Sequence, residues 1–215
     1  MKYNLPKELW GAGLLNGVLM AAMTYGNIGA IEFIPIGLAQ LIFFIFPVLI
    51  ALMVSIMGIE SVTRTKFACV LLAFLGLALM LLSSREVIDW RGVAFALTAA
   101  VSTAINAIVV SKYFREVSVF VTAFNFSLVG LFVLGFIALF VTEIALPNSI
   151  QGWAGAISVG LLQTIGTPMY LYALAKIGAL KTGMAANIQP VFAIFAAWLL
   201  FNEMLTLKQA LGGIL

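Results

Sequence analysis

Charge is what this sequence has least of. Only 9% of its residues are Asp, Glu, Lys or Arg, where a soluble domain carries about 25%. With so little polar surface the chain cannot face water on all sides, and a soluble globular domain is excluded. Histidine is absent, and the single cysteine, Cys69, lies in an apolar run. No disulfide can form within the chain, and a zinc or haem site has no plausible ligands. We therefore expect no metal and no cofactor. The net charge of +3 is small and gathers in short loops, which makes it a topology signal and gives no reason to invoke nucleic acid. No cleavable leader is visible, because the first apolar segment is too long and lacks a small-residue cleavage site.

What fills the chain is apolar: 64% of its residues are hydrophobic. Crossing the hydrocarbon core of a bilayer takes about 20 mostly apolar residues. Seven segments qualify, at 9–30, 36–58, 66–84, 90–111, 118–142, 152–175 and 182–202, and an eighth begins at Thr206 and stops at Leu215. The expected fold is an all-α integral membrane bundle of seven complete transmembrane helices plus a partial eighth, in one membrane domain over 1–215. An N-terminus in the cytoplasm places eight basic residues inside (Lys2, Lys7, Arg64, Lys66, Lys112, Arg115, Lys176, Lys181). Three lie outside (Arg85, Arg91, Lys208). This excess predicts a multi-pass protein with its N-terminus cytoplasmic.

One pattern occurs twice. "FPVLIALMVSIMGIESVT" starts at Phe46, and "QPVFAIFAAWLLFNEMLT" starts 143 positions later at Gln189. Each has Pro-Val, then Glu thirteen residues after the Pro, then Thr three further on. Residues 33–72 and 176–215 align without gaps, with Ile34, Ile45, Pro47, Val48, Glu60, Thr63 and Leu72 repeated as Ile177, Ile188, Pro190, Val191, Glu203, Thr206 and Leu215. The copies fall on the second and seventh spans, an odd offset, so they cross the membrane in opposite directions. That is the signature of an inverted-topology repeat, which builds many secondary transporters. The repeat partner of the fourth span would precede Met1, and that of the third would end past Leu215. We expect a ten-helix, five-plus-five design in which 1–84 is the end of the first repeat and 90–215 is the second with its last helix truncated. The first two helices are then lacking.

These two segments, with their mid-helix Pro, helix-end Glu and following Thr, resemble the signature segments of EamA-type permeases in the drug/metabolite transporter superfamily. The resemblance implies a ten-helix carrier, usually a bacterial inner-membrane exporter of amino acids, metabolites or drugs.

Several residues can carry such a function. Pro47 and Pro190 cannot donate to the carbonyls of Phe43 and Ala186, so each should kink its helix and serve as a gate pivot; Pro168 does the same in the sixth span. Thr98, Ser102 and Asn106 share one face of the fourth span. Gln163, Thr167 and Tyr170 share one face of the sixth, and Asn187 and Gln189 flank the Pro190 kink. Asn16 lies in the first span on a stripe with Asn27, and Asn125 lies in the fifth. Together they predict a neutral, hydrogen-bonding cavity for a small-molecule substrate, against the simpler reading of Asn and Gln as interhelical glue. The carboxylates, Glu60 and Glu203 included, all fall near span ends, where no proton relay is expected. No nucleophile is paired with a base, so an enzyme is not expected. The expected function is secondary transport of small neutral or zwitterionic metabolites by alternating access in the inner membrane. The alternatives are a non-transporting membrane module or truncated paralogue, and a nucleotide-sugar or sugar-phosphate exchanger, which would need cations that the spans do not hold. The expected partners are the lipid bilayer and the solute; a homodimer stays open.

Overall fold

A computed structural model of the chain describes residues 4–59, 62–81, 89–140, 147–192 and 199. It is helical: α1 (Trp10–Phe33), α2 (Ile36–Phe43), α3 (Phe46–Ile56), α4 (Arg64–Leu81), α5 (Trp90–Tyr113), α6 (Val119–Ala138), α7 (Ile150–Ile177) and α8 (Ala179–Ala186). Among the described residues, four stretches are long and apolar enough to cross a membrane: Lys7–Phe33, Ile36–Ile56, Trp90–Tyr113 and Val119–Ala138. Glu60, Glu203, Thr206 and the expected partial eighth helix lie outside the described residues.

Local chemistry sets the ends. Pro35 cannot continue α1, and it caps the start of α2. Asp89 caps α5 by accepting the Arg91 backbone N–H at 2.9 Å, and its carboxylate also takes the Arg91 guanidinium at 2.7 Å. The guanidinium beside it holds the Asp89 carboxyl below its ordinary pKa. The Ser149 hydroxyl accepts the Gly152 N–H at the start of α7. Gly178 joins α7 to α8 with a φ of 88°, a conformation glycine adopts without a Cβ clash.

α5 is the hub, packed against α1, α2, α3, α7 and α8. Its contact with α1 is close because the touching residues are small. Ala96 and Ala99 are fully buried, as is Ala30, which packs in one cluster with Ala96. Gly26 lies directly on the α5 backbone: a Cβ there would begin 2.7 Å from the Phe95 carbonyl oxygen. α1 also packs on α6, where Gly13 faces Asn125 and Gly17 faces Val129. The start of α1 lies beside the start of α6, since Trp10 and Phe120 line one groove. The end of α1 meets the start of α5, where Ile34 covers Gly92. Of the small-residue spacings, Gly13 with Gly17 and Ala96 with Ala100 mark helix contacts. Gly130 meets Met20, whereas Gly135 faces nothing within 4 Å.

The proline positions differ from expectation in one respect. The second span breaks at Phe44 and Ile45 and restarts at Phe46, so Pro47 occupies the first turn of a new helix rather than kinking a continuous one. There its missing N–H is no loss. α8 ends at Ala186, a turn follows at Asn187 and Ile188, and helix resumes at Gln189 just before Pro190. The two short helices are 143 positions apart at both ends, 36 to 179 and 43 to 186. Their turn bonds match at the same offset, Ile45 N–H to Ile42 O and Ile188 N–H to Ala185 O. α7, by contrast, runs unbroken through Pro168.

Candidate functional site

Among the described residues the buried polar groups are neutral. Asn16 is fully buried on α1, and the Asn106 side-chain amide of α5, 3% exposed, donates to its oxygen. This is the one pair of expected site residues that the described structure joins by a hydrogen bond. The Asn16 Nδ2 donor has no protein partner among the described residues, and neither have Asn27 Oδ1, Asn125 Oδ1 or Tyr170 Oη, all enclosed. A buried polar atom without a partner costs about 1–3 kcal/mol.

The other expected residues divide. Ser102 is buried one turn from Asn106. Thr98 is exposed, and its hydroxyl donates back to the Ala94 carbonyl at 2.8 Å. Gln163 is exposed, Thr167 half-buried, and Tyr170 half-buried with its hydroxyl enclosed. Asn187 is half-buried in the turn before Pro190, and Gln189 is exposed. Pro47 and Pro190 are buried and Pro168 is half-buried. Pro47 packs against Gly183 of α8, whose Cβ position is 3.7 Å from the Pro47 Cβ. The broken second span thus touches α8 at its break.

A relation hidden from the shorter alignment appears when the 143-residue offset is carried back into α1 and α7. Trp10, Gly17, Leu19, Thr24 and Ala30 recur as Trp153, Gly160, Leu162, Thr167 and Ala173. In the same register Asn27 corresponds to Tyr170, so two of the four unpartnered polar atoms occupy matched positions on matched helices. The missed signal was the offset itself, continued upstream of Phe33.

Residues 90–215, more than half the chain, match the EamA-like transporter family. The chain belongs to this family. It is a multi-pass membrane protein of a transporter family, not of an enzyme family. An uncharacterized transporter of Archaeoglobus fulgidus is 24% identical over 209 residues, which cover 96% of this chain and 72% of the relative. A solved crystal structure matches 99% of this chain and 75% of its own, with TM-score 0.74 and 18% identity, a likeness of fold. For this EamA-like chain, a small-molecule substrate and a membrane setting follow from the family.

Proposed function

We propose that the protein is a secondary carrier of small neutral or zwitterionic metabolites, working by alternating access as an inner-membrane exporter. The observation that carries this reading is the matched pair Asn27 Oδ1 and Tyr170 Oη, an acceptor and a hydroxyl enclosed without protein partners among the described residues. A solute donor can satisfy the first and a solute donor or acceptor the second, and among the described residues no charged side chain is buried. The repeated break supports an inverted repeat. Two helices with turns at 44–45 and 187–188 give each half of the carrier one hinge point. Rocking about such hinges would expose the site to one side and then the other.

Counterflow in membrane vesicles from cells expressing the chain tests the reading. Neutral and zwitterionic solutes should exchange and phosphorylated ones should not; exchange confined to phosphorylated solutes overturns it.

Orientation has its own test. Glu116 and Ser149 are both exposed. Single cysteines there, in a Cys69→Ser background, should label from the cytoplasmic and the outer side respectively. The opposite pattern reverses the topology.

A further inference from the structure

α7 carries one charged residue, Lys176, and α8 carries one, Lys181, on either side of the Gly178 turn. Both are exposed, and among the described residues neither has an ion-pair partner. Lys176 Nζ lies 5.9 Å from the centre of the Tyr172 ring, one turn back along the helix. A lysine at a membrane surface ordinarily extends its amine outward to water; this one turns back over an aromatic ring. Its face is defined by what lies opposite. In the second half of α7, Leu171, Leu174 and Ala175 are buried on one side. Ile165, Met169, Tyr172 and Lys176 follow at helical spacing on the other, the first three 62%, 69% and 52% exposed. Along the helix axis this stripe is aliphatic, then aromatic, then cationic.

We propose that Lys176 and Lys181 seat the phosphate of an anionic phospholipid, with its acyl chain along Tyr172, Met169 and Ile165. The occupant follows from depth and charge. A phospholipid presents its groups in the order of the stripe: hydrocarbon, then the interfacial level that aromatic rings favour, then phosphate. A zwitterionic headgroup brings its own cation and gains less from two lysines than an anionic one does. A water-soluble anion would gain nothing from the apolar stripe. The backbone does not require these side chains. At the 143-residue offset Tyr172, Lys176 and Lys181 correspond to Gly29, Phe33 and Leu38, and α1 and α2 form there without a cation. The end of the bundle where α5 and α7 finish also holds Lys112 and Arg115, with Glu116 beside them. The opposite end holds Glu32 and Asp89, and its Arg91 is paired with Asp89. Tyr170, with its enclosed hydroxyl, lies on the other side of α7 from Tyr172. The lipid seat is therefore separate from the proposed solute site, and it does not depend on what the carrier moves.

The test uses the whole purified chain in a non-ionic detergent. Micelles have no inner and outer leaflet, so the ordinary topological role of loop lysines does not enter. The probe is an equimolar mixture of phosphatidylglycerol and phosphatidylcholine with identical acyl chains, and mass spectrometry of the repurified protein counts the lipid retained. The protein should hold the anionic lipid over the zwitterionic one by about tenfold. Lys176→Gln with Lys181→Gln should bring the ratio down to that supplied, each single substitution should keep part of the preference, and Lys176→Arg with Lys181→Arg should keep all of it. Lys7→Gln with Lys112→Gln removes as much charge from the same end and should leave the ratio unchanged. Equal retention of the two lipids by the unaltered chain overturns the proposal, as does a preference that survives loss of Lys176 and Lys181. An equal loss in the Lys7 and Lys112 variant overturns it in favour of a diffuse field. Glycerol phosphate, which has the phosphate without the chains, should not displace the lipid at equal concentration. If it competes as well as phosphatidylglycerol does, the lysines read a soluble anion and the lipid seat falls.

Discussion

Gly26→Ala should destabilise the fold, because the added methyl group meets helix backbone. Its new Cβ would begin 2.7 Å from the Phe95 carbonyl oxygen and 2.9 Å from the Ala99 nitrogen, both backbone atoms of α5. The far end of a flexible side chain can rotate aside, but a helix backbone can only move as a body. α1 and α5 would therefore separate along a seam whose closeness comes from Ala30, Ala96 and Ala99, all fully buried. Overpacking of this kind costs about 1–3 kcal/mol, and the end against backbone belongs at the top of that range. Alanine returns roughly 1 kcal/mol of helix propensity, so about 2 kcal/mol should be lost on balance. Thermal unfolding of the purified protein in detergent measures it. Gly160→Ala is the comparison, since no atom of the described residues lies within 4 Å of its added methyl and only the propensity gain remains. If the two variants melt together, α1 and α5 are not in backbone contact at Gly26.

Much of this architecture was legible in the sequence for a physical reason. Small residues spaced by four are cheap to read and have few uses in an apolar helix, and Gly13 with Gly17 and Ala96 with Ala100 fell where helices touch. The paired prolines located two helix breaks, because proline removes a donor wherever the backbone runs. Their form was not legible. Proline is equally at home in the first turn of a new helix, and Pro47 took that place. Helical-face arithmetic failed differently. It states correctly that Thr98, Ser102 and Asn106 lie on one side of α5, but not what that side meets. Thr98 can face outward because its hydroxyl is satisfied by the Ala94 carbonyl of its own helix, which removes most of the penalty that the argument relied on. Gln163 is exposed, as is every residue from 153 to 166. The Asn16–Asn106 bond joins residues 90 positions apart, a pairing that no local pattern encodes.

Two kinds of buried polar group sit in this bundle, and substitution should separate them. Asn106 donates to Asn16, so Asn106→Leu leaves the Asn16 oxygen buried with its partner removed. That variant should lose about 1–2 kcal/mol of stability, and any loss of transport would follow from the loss of fold. Among the described residues Asn27 Oδ1 and Tyr170 Oη have no protein partner to lose. Asn27→Leu and Tyr170→Phe remove an unsatisfied atom and keep the bulk of the side chain, so the unfolding temperature should hold or rise. Recognition of solute should suffer instead. One hydrogen bond of about 1.4 kcal/mol corresponds to roughly a tenfold fall in affinity, so each variant should raise the half-saturating solute concentration about tenfold. If one solute bridges both atoms, the first substitution already leaves it poorly held, and the double variant should lose less than the product of the singles. Unfolding curves and counterflow on the same preparations decide the matter. Tyr170→Phe melting as early as Asn106→Leu would mean that the hydroxyl holds the bundle together. Unchanged transport in both single variants would mean that neither atom meets the solute.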